Sequence, residues 1–151
     1  MMFSAKRVFI ITRPVSRDEL LTRMAGSLYA DGLVKGSFCQ GVLDREVVYP
    51  TGIDMETHSI AIPHTEFEHV VATGFSVAVN QAGVKFHRSD EPEQVVKPAV
   101  VVLMAIDQSC EKVAIIQSLF ALLGDVAQVN KISGNSPEDI AKLFTESITT
   151  R

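Results

Sequence analysis

From Val95 to Ile106 the chain is almost unbroken in apolar residues, and valine is the commonest of them. A segment of this kind has no polar face to turn toward water, so as a strand it must be covered on both sides. Two covering layers mean helices on either face of a sheet, which is the arrangement of an α/β fold. The run is therefore expected to be a central strand.

The remaining segments supply neighbours and covers. Arg7 to Thr12 is a short β-branched and aromatic run ended by Pro14, and Ser16 with Glu19 has the form of a helix capping box. Leu20, Leu21, Met24, Leu28 and Tyr29 then recur at helical spacing as far as Gly32. A second helix is expected from Ser37 to about Val47, with Phe38, Val42 and Leu43 on its apolar side and Arg45 in its last turns. Phe75, Val77 and Val79 alternate with smaller or polar residues, Gln81-Ala82-Gly83 reads as a turn, and Val84 to Phe86 continues as a strand, which predicts a hairpin. Val113, Ile116, Leu119, Phe120 and Leu123 form a helical stripe closed by Gly124. Ser136-Pro137-Glu138-Asp139 opens a last helix through Ile140, Leu143 and Phe144. Together these elements predict an α/β sheet flanked by helices, in a single domain over residues 1–151 with no repeat and no linker.

Composition narrows the function classes. An apolar fraction of 46% in 151 residues is enough for one core. A net charge of −4 and the lack of any Lys/Arg run argue against a nucleic-acid partner, which needs a basic face. The opening Met1-Met2-Phe3-Ser4-Ala5-Lys6-Arg7 lacks the apolar core of a signal peptide, and no stretch approaches the roughly 18 apolar residues of a membrane span. No direct membrane insertion is expected, and the expected location is cytoplasmic. Cys39 and Cys110 form no C-x-x-C pair, so both read as small buried thiols rather than as a disulfide or zinc site.

One constellation carries chemistry. The run Ile60-Ala61-Ile62 stops at Pro63 and presents His64 at a strand end. Upstream, Arg45-Glu46 closes a helix and Thr51-Gly52-Ile53 carries the chain back toward that strand. Imidazole accepts and releases a group near neutral pH, and guanidinium matches phosphate oxygens in a bidentate way. The pair points to phosphoryl transfer through His64, with Arg45 as the cation and backbone N–H groups after Pro63, Thr65 included, as donors if a helix begins there. On type and spacing alone the same residues also read as a solvated loop histidine and a surface arginine.

Other candidates are weaker. His58 is an even number of residues from His64, so on an uninterrupted strand the two share a side. His58, His64 and His69 match no metal-ligand spacing, and no glycine-rich phosphate loop occurs, so neither a metal nor a nucleotide cofactor is expected. Gly74-Phe75-Ser76-Val77-Ala78 nearly copies a nucleophile elbow, but Ala78 replaces the last glycine and Ser76 lies in an alternating strand, which speaks against a serine hydrolase. His69 and His87 have no assigned task.

Arg45-Glu46, Thr51-Gly52-Ile53 and Ile60-Ala61-Ile62-Pro63-His64 together resemble the active-site segment of the enzyme IIA domains of the bacterial sugar phosphotransferase system, in the mannitol and fructose class. The resemblance extends over nearly the whole chain, and the segment from Val47 to His58 with Tyr49-Pro50 is most similar to the free-standing galactitol-type IIA proteins. It implies a mixed β-sheet flanked by helices, and a phosphocarrier that takes a phosphoryl group on His64 from phospho-HPr and passes it to a cysteine of a IIB component. The membrane IIC component would then be served only indirectly. The nitrogen-related branch of the family implies an alternative, a regulatory module whose phosphorylation switches protein partners. Mannitol-type members carry a second active-site histidine at the start of a later helix, and alignment through Ile115-Ile116-Gln117-Ser118-Leu119 places Lys112 there. The resemblance leaves open whether Lys112 or His58 takes that second role, or whether His64 and Arg45 suffice.

Overall fold

A computed structural model describes residues 2–109 and 111–148. Its strands are β1 (Val8–Ile11), β2 (Gly52–Asp54), β3 (Ser59–Ala61), β4 (Gly74–Asn80), β5 (Phe86–His87), β6 (Val95–Val96) and β7 (Val100–Ala105). Its helices are α1 (Arg17–Ala30), α2 (Phe38–Val48), α3 (Lys112–Leu123), α4 (Val126–Ser133) and α5 (Pro137–Ser147). Five strands form one sheet in the order β1-β4-β7-β3-β2, with β7 in the middle. The sheet is mixed: β1 runs parallel to β4 and β3 parallel to β7, while the β4–β7 and β2–β3 pairs are antiparallel.

The central strand explains the three layers. Every residue of β7 is buried, and alternate side chains go to opposite cores. Val100, Val102 and Met104 join Ile115, Leu119, Ile132, Ile140 and Phe144 from α3, α4 and α5 on one face. Val101, Leu103 and Ala105 join Leu20, Met24, Leu28, Phe38 and Val42 from α1 and α2 on the other. Helix starts follow local chemistry. The Ser16 hydroxyl accepts the Glu19 N–H at 3.0 Å and the Ser136 hydroxyl that of Asp139 at 3.2 Å, satisfying donors that a helix cannot pair itself.

Three expectations need correction. The run from Val95 to Ile106 is two strands, because Pro98 has no N–H to give to a ladder and breaks it. Its first part, β6, leaves the main sheet and pairs with β5 (Phe86 with Val96, His87 with Val95). The hairpin between Phe75–Val79 and Val84–Phe86 does not form, since both flanks of β4 are occupied by β1 and β7. The Asn80 side chain closes the loop instead: its amide nitrogen donates to the carbonyls of Val84 and Pro98, both at 2.9 Å, and its oxygen accepts the Val84 N–H at 3.0 Å. Finally, α4 is an additional helix. Asp125 caps it by accepting the Ala127 N–H at 2.9 Å, and Val129 and Ile132 fill the core.

Smaller points follow. Cys39 is half-buried rather than buried, and Cys110 lies outside the described residues. Ser76 is fully buried and its hydroxyl donates to the Arg7 carbonyl at 3.0 Å, which makes it a structural residue. Among the described residues no single helix is long and apolar enough to cross a membrane; α3 and α4 are apolar together but meet at a bend of 83°.

Gly52 marks where β2 meets the segment after β5. A Cβ there would stand 2.5 Å from the His87 carbonyl oxygen, a backbone atom with nowhere to go. Gly52→Ala is expected to destabilise the fold by about 1–3 kcal/mol, the usual cost of overpacking. Urea denaturation checks this: the midpoint falls with the slope unchanged.

Candidate active site

In open α/β sheets ligands bind at the carboxyl ends of the strands, and here that place lies beyond the parallel pair β3 and β7. The β3 ladder does not stop at Ala61. The Met104 N–H donates to the Pro63 carbonyl at 3.0 Å and His64 bridges to Met104, so the chain stays extended through the proline and delivers His64 to the rim. His64 there lines a cleft of about 470 Å³ with Arg45, Thr65, Glu66, Met104 and Lys112.

The tautomer of His64 follows from one bond. Its Nδ1 lies 2.9 Å from the Ile62 carbonyl oxygen. A carbonyl can only accept, so Nδ1 carries the proton and Nε2 keeps the lone pair. Burial pushes the ring's pKa below 6.5; the Ile62 bond opposes this, and the charges of Arg45 and Lys112 push it further down. At neutral pH the ring is therefore uncharged and Nε2 is a nucleophile.

This fixes a pH dependence. The histidine titration followed by NMR is expected to give His64 a midpoint below 6.5, and Arg45→Gln is expected to raise that midpoint by removing a neighbouring positive charge. The sign for stability follows from linkage. Below 6.5 the unfolded chain binds a proton that the folded ring still refuses, so the contribution of His64 to stability is present above 6.5 and lost as pH falls through the lower folded value. A His64 midpoint above 6.5 would contradict this description of the site.

Arg45 is positioned by the way α2 ends. Pro50 cannot extend the helix, and the buried Glu46 carboxylate accepts both the N–H and the hydroxyl of Thr51 at 2.8 Å. That clamp fixes the reversal from α2 into β2. The Arg45 guanidinium lies 5.0 Å from the centre of the Tyr49 ring, and its Nη1 is 3.3 Å from Glu66 Oε1. Its buried Nε has no hydrogen-bond partner among the described residues. A buried donor left unpaired is costly, and an anionic oxygen in the cleft would satisfy it.

Lys112 is the first residue of α3 and lines the same cleft. A cation at a helix N-terminus opposes the macrodipole, so it adds nothing to the helix and instead adds charge to the cleft. Thr65 is also brought in, but no α-helix starts there. Only a short 3-10 turn, Phe67–His69, follows, so the donors expected from a helix N-terminus are absent. The Thr65 hydroxyl donates to Glu66 Oε2 at 2.5 Å.

His58 is not part of the cleft. It precedes β3 whereas His64 follows it, and with about 3.3 Å of rise per residue their backbones stand roughly 20 Å apart. Its Nε2 lies 2.5 Å from the Leu123 carbonyl and its Nδ1 2.8 Å from the Thr57 hydroxyl, which ties the β2–β3 turn to the end of α3. Sharing a side of the strand was not enough. His87 donates from Nδ1 to the Pro92 carbonyl at 2.9 Å, and the His69 Nδ1 is 2.8 Å from the Ser37 hydroxyl. Sequence reasoning missed Tyr49 and Glu66. Tyr49 lies one helical turn after Arg45, and Glu66 two residues after His64 on extended chain, so both spacings were available.

Residues 1–147 match the family described as the phosphoenolpyruvate-dependent sugar phosphotransferase system, EIIA 2. The chain belongs to this family. The galactitol-specific EIIA component of Escherichia coli K12 is 30% identical over 134 residues, covering 89% of each chain. Among solved structures, enzyme IIA mannitol of E. coli, in its complex with phosphorylated enzyme IIB mannitol, superposes with a TM-score of 0.75 at 22% identity, covering 95% of this chain and 96% of that one. Nitrogen regulatory protein IIA-Ntr from Neisseria meningitidis has a TM-score of 0.64 at 16% identity, with 95% and 96% covered. At these identities the two structures establish the shared fold. Membership makes this EIIA type-2 chain a phosphotransferase component.

Proposed function

We propose that this EIIA component is a phosphocarrier in which His64 takes a phosphoryl group from phospho-HPr and passes it to a cysteine of a cognate IIB component. The observation that carries the reading is the Nδ1–H bond from His64 to the Ile62 carbonyl, which leaves Nε2 as the ring's lone pair beside Arg45 and Lys112. In the first step Nε2 forms an N–P bond while the donor's N–P bond breaks and its electron pair returns to the donor imidazole. In the second, a IIB thiolate forms an S–P bond and the pair returns to Nε2. The proton on Nδ1 stays in place throughout. Arg45 and Lys112 stabilise charge on the equatorial phosphoryl oxygens, so transfer here is positioning plus electrostatics, without a metal or nucleotide.

The surroundings suit transient docking. Val48 and Tyr49 are exposed at the end of α2, Phe67 beside the cleft, and Val113 next to Lys112. Apolar groups ringing a charged centre exclude water from the N–P bond when a partner sits on them. The partners must also leave quickly, which fits a small interface below about 1,200 Å². The relative's name suggests galactitol as the transported sugar, with a membrane IIC component receiving phosphoryl flow only through IIB, and all transfers in the cytoplasm.

A regulatory module is the second reading, favoured by the same apolar rim. A phosphoryl group brings about −1.5 to −2 of charge to that face and would change which protein docks there. The test that separates them is transfer from labelled protein to a galactitol-type IIB. Label appearing on the IIB cysteine within the mixing time supports the carrier; label that stays on the IIA chain supports the switch.

A further inference from the structure

Glu66 sits at the cleft mouth with three partners in reach. Its Oε1 is 3.3 Å from Arg45 Nη1, and its Oε2 accepts the Thr65 hydroxyl at 2.5 Å and lies 3.9 Å from His69 Nε2. The last distance is too long for a hydrogen bond, yet a side-chain rotation would close it. We propose that Glu66 is a positioning residue with two stations, paired with Arg45 while His64 is bare and handed to His69 when His64 carries a phosphoryl group, and that its charge then drives the group onward. This rests on the reading of His64 as the phosphoryl acceptor.

One tautomer of His69 prepares the receiving station. When the Ser37 hydroxyl donates to His69 Nδ1 across 2.8 Å, the ring's proton resides on Nε2, the nitrogen nearer Glu66. Gly41 of α2 leaves the room this needs: a Cβ there would stand 2.9 Å from Thr65 Oγ1 and 3.3 Å from His69 Nε2. Glu66 itself is half exposed and makes no capping bond to the short turn it precedes, so apart from Arg45 its rotation has only the Thr65 hydroxyl to carry with it or release.

Charge supplies the driving force. The Thr65 hydroxyl first, then neighbouring donors and Arg45, hold the Glu66 carboxyl below the usual carboxylate range, so it is ionised at neutral pH. In the bare protein it neutralises Arg45. A phosphoryl group offers the guanidinium a bidentate partner of higher charge, and Glu66 must yield. Two anions then share one cleft mouth. Their repulsion raises the free energy of the phosphorylated state and favours transfer onward. Glu68 and Asp107 also line the cleft, but Glu66 is the acidic neighbour with the largest influence on the His64 ring.

The experiment measures the equilibrium between HPr and this chain, with labelled phosphoryl groups, for wild type, Glu66→Gln and Glu66→Asp. Glu66→Gln is expected to shift the equilibrium toward the phosphorylated chain by about three- to tenfold, the scale of partly exposed charge coupling to a dianion. Onward transfer to IIB slows correspondingly, while Glu66→Asp stays close to wild type. An equilibrium unchanged or shifted the other way in Glu66→Gln, with an unaltered melting profile, overturns the two-station role and leaves the His64 reading standing. No labelling of wild type at all overturns the His64 reading itself, and this inference with it.

Discussion

His64→Ala is expected to fold as wild type does and to take up no phosphoryl group. The ring is half-buried at the end of a strand, where its backbone bridge to Met104 survives truncation, so the loss is chemical rather than structural. No other side chain in the cleft replaces it. Lys112 lines the cleft as a donor to phosphoryl oxygens and Thr65 spends its hydroxyl hydrogen on Glu66. His58 stands at the far end of β3, its Nε2 against the Leu123 carbonyl. Incorporation of label with enzyme I, HPr and phosphoenolpyruvate, run beside a thermal melt, checks both halves. Residual labelling of a folded His64→Ala protein would assign the acceptor to another residue.

Arg45→Ala is expected to leave the fold intact and slow phosphoryl transfer by about 10²–10³-fold, since losing one stabilising donor costs on the order of 3 kcal/mol in the transition state. Glu46 rather than Arg45 clamps the end of α2, so removing the guanidinium leaves that junction closed. The interactions lost in the bare protein are partly exposed ones, to Glu66 and to the face of Tyr49. Arg45→Lys should recover only part of the rate, because an ammonium lacks the planar fork that engages two phosphate oxygens at once. Rapid-quench measurement of transfer from phospho-HPr gives these rates. Rates within a few-fold of wild type in Arg45→Ala would remove the arginine from the mechanism.

What the sequence disclosed follows the physics of each element. The buried strand β7 was legible because a strand covered on both faces must be apolar at every position, α1 and α5 because capping serines announce their starts, and α2 from its apolar stripe of Phe38, Val42 and Leu43. Pro98 was the sign that the long run was two strands, and hydrophobicity alone hid it. The hairpin was misjudged because strand partners are chosen by the whole sheet: β4 accepted β1 and β7, and Asn80 redirected the chain. The site was legible at Pro63-His64 and at Arg45, where local motif and position coincide. Lys112 required alignment to place, and the cleft receives it because α3 begins there. Glu66 was passed over because an exposed carboxylate is ordinary in sequence, and only its contacts with Arg45, Thr65 and His69 give it a part.

The most direct test is to incubate wild-type protein with phosphoenolpyruvate, enzyme I and HPr and to locate the phosphoryl group. The expected product is acid-labile and base-stable, maps to the peptide containing His64, and shows phosphorus coupling to Nε2 in a nitrogen-labelled sample while the Nδ1 proton persists. Label on Nδ1, label on another residue, or no label on folded protein while a control IIA is labelled in parallel would contradict it.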